Sequence, residues 1–504
     1  MKIIAFDLGT GGVKASLYDK SLQTLSKSFI EYKTYFPAPD RHEQLPSDWW
    51  NGVIQSIKSL LEYSGVDPSE IACLSLSGHS LVTVPIDKDG NCLMNDVPIW
   101  SDTRAQKECE AFFNTISKET WYQTTGNGFP PAHYSIFKLM WLKKHHPDVF
   151  NRIDKVLGSK DYINFRLTGF KAMDYSYASG TGAYELITGK MSEEFLNAAG
   201  LPASIFPDIV PSHTILGNLT KEAATATGLS TKTLVACGGV DNACMALGAV
   251  GTTEGQAYIS LGTSSWIPVN SSTPILDSIK KPYVFAHIEE GMFTSAFSIF
   301  SGGNSFRWLR DTIYPETLSM PDPYTELCDQ AKNSVPGSHG IIFNPSLAGG
   351  TSQDKSPNIR GAYIGLGLET IREDIIRATL EGITFNLKCS YDFMREKISL
   401  ADKLLVCGGG SKSPFWMQLF ADIFHIEIQK TNIDQDAASL GAAAIAARAI
   451  GLWNDYSQIP NLHMVEKQYY PNAESTEVYD KQYKIFKHVS NILSDLGDYM
   501  HNAF

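Results

Sequence analysis

The chain has 504 residues, 43% of them apolar, a length that exceeds one hydrophobic core and is typical of two domains of about 250 residues each. Its formal net charge is −12, from 42 Lys and Arg against 54 Asp and Glu, and without a basic run this argues against nucleic acid and anionic membranes as partners. The 8 cysteines lack C-x-x-C spacing, which argues against a zinc site or a disulfide framework and favours buried thiols in a reducing compartment.

The termini and apolar runs bear on location. The N-terminus enters a strand pattern at once and reaches Asp7 before a signal-peptide core could form. The longest run of small apolar residues, 440–450, contains Arg448 and is too short to span a bilayer. We therefore expect a soluble, cytoplasmic protein.

The first predicted element is a hairpin. Two short apolar runs, residues 3–6 and 13–18, flank Gly9-Thr10-Gly11-Gly12, the pattern of two strands joined by a glycine turn. Backbone N–H groups and the Thr10 hydroxyl then point outward as a cradle for phosphate, and the neighbouring Asp7 can hold a metal ion through water. The alternative is an ordinary hairpin in which Asp7 and Lys14 are solvated, and this stretch alone favours neither.

Two further polar segments follow in the first half. Residues 71–77 predict a strand that ends at Gly78-His79-Ser80, where polar side chains can reach a cleft. Residues 98–104 place Asp102 and Arg104 beside a tryptophan at the start of a helix, where they can grip a polyol through charge-assisted hydrogen bonds. The alternative for His79 is a structural histidine. The alternative for Asp102 and Arg104 is a helix-start Asp with a nearby ion pair, which is worth little if exposed.

A strand followed by two glycines precedes Asp241. The strand runs into Gly238-Gly239, which lets a ligand approach the backbone closely, and a helix is predicted from Asp241. A carboxylate at a helix N-terminus keeps a low pKa, so we expect Asp241 to be ionised. The alternative is that Asp241 serves only as the N-cap of this helix.

The opening pattern recurs half a chain later. An apolar strand precedes Leu261-Gly262-Thr263, as another precedes Leu8-Gly9-Thr10, and this echo indicates duplicated domains with facing glycine turns. Further on, a strand over residues 403–407, the loop Gly408-Gly409-Gly410 and a helix capped by Ser413 form a common device for binding nucleotides.

With these motifs placed, the chain resembles the FGGY carbohydrate kinases, which share the duplicated ribonuclease-H-like fold of actin, Hsp70 and hexokinase. The second family signature is present as Gly361-Ala-Tyr-Ile-Gly-Leu366, followed after seven residues by Asp374-Ile-Ile-Arg-Ala-Thr-Leu-Glu381. The first covers residues 134–145 and departs only at its opening position, where His133 stands. The motifs occur in the family's order over nearly all of the chain.

The resemblance implies an α/β fold of two ribonuclease-H-like domains with an interdomain cleft. Residues 1–246 would form the N-terminal domain, with the sugar site, the first phosphate loop and the catalytic aspartate, and residues 247–504 the nucleotide-binding C-terminal domain. The implied activity is transfer of the γ-phosphoryl group of ATP to a hydroxyl of a small sugar, with Mg²⁺.

The resemblance also implies residue roles. Asp241 falls on the catalytic base and on a metal contact, and Asp7 on the residue that positions Mg²⁺ through water. The nucleotide-binding positions are Gly9, Thr10, Gly11, Lys14, Thr263, Gly303, Arg307, Gly409 and Ser413. The sugar-binding positions are His79, Ser80, Asp102, Arg104, Asp241 and Asn242.

The resemblance is strongest to the xylulokinase branch, through Trp100-Ser-Asp102, Lys160-Asp161-Tyr162 and Gly239-Val-Asp241-Asn242, so a ketopentose such as D-xylulose is the expected substrate. Many xylulokinases carry Gln-Met-His after the glycine matching Gly78, where this chain has His79-Ser80-Leu81. This departure leaves ribulose, other ketoses, gluconate, erythritol, glycerol and autoinducer-2 open as substrates.

Two alternatives come from other classes. An ATP-driven chaperone or sensor on the same fold would leave the FGGY signatures unexplained. A non-catalytic protein that only binds sugar and ATP is disfavoured by the intact Asp7, Lys14 and Asp241. The sequence leaves the oligomeric state open, with a homodimer as one alternative.

Overall fold

Two seven-stranded sheets organise the chain, one in each half, in a computed structural model that describes residues 1–433 and 436–503. The strands of the first half are β1 (Lys2–Leu8), β2 (Gly12–Tyr18), β3 (Thr24–Glu31), β4 (Tyr35–Ala38), β5 (Arg41–Gln44), β6 (Ile71–Gly78), β7 (Val84–Ile86), β8 (Val97–Pro98), β9 (Lys155–Leu157), β10 (Ala172–Asp174), β11 (Tyr184–Glu185), β12 (Lys190–Met191), β13 (Asp208–Val210), β14 (Ile215–Asn218), β15 (Leu234–Ala236) and β16 (Gly239–Val240). Those of the second half are β17 (Tyr258–Leu261), β18 (Ser265–Ser271), β19 (Tyr283–Ala286), β20 (Phe293–Ile299), β21 (Ile342–Asn344), β22 (Ala362–Ile364), β23 (Lys403–Cys407), β24 (Glu427–Thr431) and β25 (Val465–Tyr469).

Helices cover the sheets. They are α1 (Pro46–Ser64), α2 (Gln106–Phe112), α3 (Lys118–Thr125), α4 (Ser135–His145), α5 (Pro147–Phe150), α6 (Ser159–Thr168), α7 (Tyr175–Ala178), α8 (Glu193–Ala199), α9 (Lys221–Thr227), α10 (Asp241–Val250), α11 (Gly302–Trp308), α12 (Pro323–Ala331), α13 (Arg372–Lys397), α14 (Pro414–Phe424), α15 (Ala437–Ala449), α16 (Ile459–Leu462) and α17 (Ala473–Ala503). Short 3₁₀ or π turns cover Pro68–Glu70, Pro131–His133, Ala203–Ile205, Leu309–Ile313, Pro315–Ser319, Ser338–Gly340 and Gly409–Lys412.

The two sheets repeat one topology. The first has the order β14-β15-β6-β1-β2-β3, with β16 as its seventh strand, paired with β6. In it β1, β2 and β3 are antiparallel neighbours, and β6 and β15 continue the sheet in parallel. The second has the order β19-β20-β18-β17-β23-β24-β25, with β17, β18 and β20 antiparallel and β23 and β24 parallel. The predicted duplicated α/β fold is confirmed, because each sheet opens with a hairpin and continues in parallel strands.

The hairpin predicted at the start of the chain is confirmed. β1 and β2 pair with Asp7 opposite Lys14, and the Gly9 N–H donates to the Gly12 carbonyl at 3.0 Å to close the turn. A side chain at Gly12 would place its Cβ 2.5 Å from the Ile30 carbonyl oxygen, so glycine is needed where β3 passes.

A crossed pair of helices joins the halves. α15, from the second half, packs on β1 and β6 of the first sheet and crosses α10 at close range. Gly248 and Gly441 permit this crossing, because a Cβ at either would clash with the backbone carbonyl of the other helix, Ala437 and Cys244 respectively. The run 440–450, which the sequence excluded as a membrane span, is therefore mostly a buried helix between the sheets.

Within residues 1–433 and 436–503, no helix combines the length and apolarity that crossing a membrane requires. The predicted division between residues 246 and 247 falls inside α10, and it stays a prediction.

Candidate active site

Strand ends of the first sheet bring Asp7 and Asp241 together. Asp7 of β1 is the neighbour of Ser77 in β6, and Ser77 is also the neighbour of Gly239 in β16. The Ser77 hydroxyl donates to Asp7 Oδ1 at 3.4 Å. Because α10 begins at Asp241 directly after β16, the register places both carboxylates at one edge of the sheet.

Asp241 is the first residue of α10, and the N-cap position belongs to Val240. Its Oδ1 accepts the Asn242 N–H at 2.8 Å. Burial, and next the nearby charge of Asp7, raise the pKa of Asp241 to about 7 against these backbone hydrogen bonds. The predicted low pKa is therefore wrong, because desolvation outweighs the helix terminus, and the carboxyl group is matched to proton transfer near neutral pH.

Asp7 and Asp241 fit a magnesium ion. Burial raises the pKa of Asp7 as well, although Lys14 opposes the effect from across the hairpin, so a cation near the pair would relieve the cost of ionising both carboxylates. Among the described residues, no group of three or more His, Cys, Asp or Glu side chains is arranged as a metal cage. One or two carboxylates, with water and phosphate completing the shell, is the usual way in which proteins hold Mg²⁺.

Side chains of neighbouring segments donate hydrogen bonds to the backbone carbonyls of the first predicted phosphate loop. The Tyr32 hydroxyl donates to the Gly9 carbonyl, and the Gln44 amide donates to the Thr10 carbonyl at 2.7 Å. A Cβ at Gly11 would meet nothing within 4 Å, and Gly11 is exposed. The loop is thus fixed by its carbonyls while one side stays open to a ligand.

The second predicted phosphate loop lies at the matching turn of the second sheet. It connects β17 and β18, and α11 holds it, because Gly303 N–H donates to the Gly262 carbonyl at 2.9 Å and Asn304 N–H to the Thr263 carbonyl at 2.8 Å. Thr263 is exposed, and Arg307 is exposed on the same helix. The structure therefore brings Thr263 and Gly303 together, with Arg307 one turn away.

The glycine loop after β23 lies beside this second turn. β23 is the parallel neighbour of β17, and a Cβ at Gly408 would lie 2.8 Å from the Leu261 carbonyl oxygen. Gly409 has open space around its Cα, and Ser413 caps α14 by accepting the Trp416 N–H at 3.2 Å. The predicted cap is confirmed, and the predicted nucleotide positions of the second half converge on the carboxyl ends of adjacent strands.

His79 is buried at the end of β6. Its Nδ1 lies 2.9 Å from the Leu8 carbonyl oxygen, and its ring packs edge-on against Trp49 at 5.2 Å between centroids. Burial lowers the pKa of His79 to about 4, so the ring is neutral, and Nδ1 carries the proton donated to Leu8. No described residue pairs with the buried Nε2, which leaves this atom as an acceptor next to the half-buried Ser80.

Asp102 and Arg104 form a buried ion pair. Arg104 Nε and Nη2 donate to the two oxygens of Asp102 at 2.9 and 2.7 Å, and Nη2 also reaches Glu43. The His42 N–H donates to Asp102 at 2.8 Å, and Asp102 is fully buried. The alternative of an ion pair between these residues is therefore present, but the pair is buried rather than exposed, and it holds the loop after β8 in place.

Three residues with no predicted role hold the loops that carry the predicted phosphate-binding and sugar-binding positions. The Trp100 indole N–H donates to the Thr10 hydroxyl at 2.9 Å, and the Trp100 carbonyl lies 2.8 Å from His133 Nδ1. The buried Lys138 ammonium donates to the carbonyls of Leu81 at 2.9 Å and Ile99 at 2.6 Å. Lys138 lies within the first family signature, and His133 is the position at which the chain departs from it. Membership in this signature is the sequence signal that could have pointed to both residues.

Comparisons with known proteins identify the family of the chain. The N-terminal domain of the FGGY family of carbohydrate kinases matches residues 2–248, and the C-terminal domain of that family matches residues 257–450. The xylulose kinase of Bacillus subtilis is 30% identical over 497 residues, 98% of each chain. The gluconokinase of Bacillus licheniformis is 26% identical over 98% of this chain and 96% of its own.

Solved structures give the same result. The crystal structure of gluconate kinase from Lactobacillus acidophilus superposes with a TM-score of 0.90 at 26% identity, covering 98% of both chains. With both family domains matched in order and a full-length relative at 30% identity, the chain belongs to the FGGY family of carbohydrate kinases, which are phosphotransferases.

Proposed function

We propose that this kinase transfers the γ-phosphoryl group of ATP to a hydroxyl of a ketopentose, with D-xylulose as the first candidate. One observation carries the phosphoryl-transfer assignment: Asp241, whose pKa is raised, lies beside Asp7. Both lie at the carboxyl ends of strands of the first sheet, next to the first glycine loop. The full-length likeness to xylulose kinases supports the sugar. Gluconate is the second candidate, because relatives named for gluconate match over similar lengths.

Asp241 acts in this proposal as the general base. Phosphoryl transfer needs alignment of the attacking oxygen and neutralisation of charge, and little covalent chemistry from the protein. Asp241 accepts the proton of the attacking sugar hydroxyl, and general-base assistance of this kind contributes about 10²–10⁴-fold. Asp7 and Asp241 would hold a bound Mg²⁺, which would offset the charge on the phosphates.

The glycine turns bind the nucleotide in this proposal. Gly9, Thr10, Gly11 and Lys14 contact the phosphates from the first sheet. From the second half the contacts come from Thr263, Gly303, Arg307, Gly409 and Ser413. The anchored carbonyls of both turns support this assignment, because they leave backbone N–H groups and hydroxyls in fixed positions for an anion.

The sugar lies against the loops after β6 and β8 in this proposal. His79 offers its unpaired Nε2 as an acceptor, and Ser80 and Asn242 add further polar groups. Asp102 and Arg104 act mainly by holding their loop, since their charges are already paired with each other. The division into domains 1–246 and 247–504, a cytoplasmic location and a homodimer stay predictions.

The substrate assignment is tested by ADP release with D-xylulose, D-ribulose, hexuloses, D-gluconate, erythritol, glycerol and autoinducer-2. We expect the highest kcat/KM with D-xylulose and a kcat at least about 10²-fold lower in Asp241→Asn. A preference for gluconate or a polyol would replace the substrate and leave the mechanism intact. Nucleotide hydrolysis that no sugar accelerates would contradict the kinase assignment and favour a sensor.

A further inference from the structure

A buried charged cluster lies behind the candidate site. Lys160, Asp161 and Asp174 are fully buried, and the Lys160 ammonium lies 2.5 Å from Asp161 Oδ1 and 3.0 Å from Asp174 Oδ1. Burying three charges is costly and adds little stability compared with apolar residues of the same volume. A cluster of this kind therefore calls for another role, and the proton-transfer step above uses none of its members.

The cluster reaches Asp241 through one serine. Asp174 Oδ2 accepts hydrogen bonds from the Ser176 hydroxyl and, at 2.9 Å, from the Ser212 hydroxyl. Ser176 Oγ in turn accepts the Val240 N–H at 3.0 Å. Because the Ser176 proton points to Asp174, a lone pair of its oxygen faces Val240, the N-cap residue immediately before Asp241.

There is no space for a side chain at Gly238 or Gly239, the glycines that precede Asp241. Gly238 has a φ of 74°, and a Cβ there would clash with the Leu76 carbonyl. A Cβ at Gly239 would lie 3.2 Å from Ser176 Oγ and would clash with the Ile288 side chain. The glycines let β16 sit directly on Ser176, so the serine determines where the Val240 peptide, and with it the start of α10, is placed.

Two residues next to the cluster, Ser159 and Tyr177, contact the predicted sugar loop. The Ser159 hydroxyl donates to the His79 carbonyl at 2.8 Å, and the Tyr177 hydroxyl donates to the same carbonyl at 3.0 Å. The Lys160 ammonium lies over the Tyr177 ring, 5.5 Å from its centroid. One buried unit thus fixes the backbone on both the His79 side and the Asp241 side.

We propose that Ser176 and Asp174, anchored by Lys160, are positioning residues that hold the Asp241 carboxylate in line with the sugar hydroxyl. This inference rests on the proposed role of Asp241 as the base. Removing the serine hydroxyl frees the Val240 N–H, so α10 can shift at its first residue. A displacement of about 1 Å at a reacting group can cost about 10²-fold in rate.

Ser176→Ala and Ser212→Ala form a matched pair for the test. Each removes one buried hydroxyl that donates to Asp174 Oδ2, but only Ser176 contacts the Val240 N–H. We expect Ser176→Ala to lower kcat by about 10–100-fold with KM for sugar and MgATP within about threefold. Ser212→Ala should keep kcat within about threefold. Both variants should lose melting temperature, Ser176→Ala more than Ser212→Ala because it also leaves the Val240 N–H unpaired.

Equal kcat for the two alanine variants, with Asp241→Asn inactive, would overturn the positioning role and leave the base intact. Near-normal turnover by Asp241→Asn would instead overturn the base and this inference with it. If Ser176→Ala does not fold, Asp174→Asn provides the second variant, because it keeps the volume and replaces one acceptor by a donor. Its kcat should fall with KM retained, and an unchanged kcat would contradict the proposal.

Discussion

The neutral, buried ring of His79 makes the stability of the first half depend on pH. Its pKa is about 4 in the folded chain, against an ordinary 6.5. The unfolded chain therefore binds a proton first as pH falls, so the stabilisation is complete above pH 6.5 and is lost towards pH 4. With these two pKa values, His79 lowers the free energy of unfolding by about 2.5 kcal/mol between pH 7.5 and pH 4.5.

His79→Asn isolates this effect, because asparagine can keep the donor to the Leu8 carbonyl and cannot titrate. Urea unfolding at pH 7.5, 6.0 and 4.5 should show the variant losing about 2.5 kcal/mol less than the parent chain. Far-UV circular dichroism follows the unfolding, because the 9 tryptophans of the chain prevent indole fluorescence from reporting on Trp49 alone. His501→Asn, at an exposed position of α17, is the control and should keep the parent pH dependence. Equal pH dependence in the His79 variant and the parent would refute the reasoning.

Three other predictions concern the site and the helix crossing. Because burial and Asp7 raise the pKa of Asp241 to about 7, carboxyl ¹³C NMR of the metal-free protein should show Asp241 titrating near this value, and Asp7→Asn should move its midpoint to lower pH. An unmoved midpoint would contradict the coupling. Gly11→Ala should leave the melting temperature unchanged, since its Cβ meets no protein atom, and raise KM for MgATP; an unchanged KM would argue against phosphate contact there. Gly441→Ala places its Cβ against the Cys244 carbonyl and should lower the free energy of unfolding by about 1–3 kcal/mol, and equal stability would contradict the close crossing.

Local patterns were enough to predict the hairpin of β1 and β2, the duplicated fold and the cap at Ser413. A glycine turn between two apolar runs has few alternative conformations, and long signatures identify a family. Ser413 was predictable because a capping serine acts on the N–H groups of its own helix turn. These features depend on neighbours along the chain, which the sequence displays directly.

Properties set by tertiary contacts were harder to predict. The pKa of Asp241 depends on desolvation and on Asp7, which is far away in sequence but close across β6 and β16. The partners of Arg104, and the bond between the Trp100 indole and Thr10, likewise follow from how the loops pack. Helix-terminus reasoning gave the wrong direction for Asp241 because it omitted burial.

The central claim is that Asp241 removes the proton from the sugar hydroxyl. Asp241→Asn keeps the volume and the helix start but cannot accept that proton, so kcat with the preferred sugar should fall by at least about 10²-fold. KM for the sugar should stay within about threefold, and Ser212→Ala, assayed beside it, should remain active. A kcat close to that of the parent enzyme, with the same sugar and MgATP, would contradict the claim.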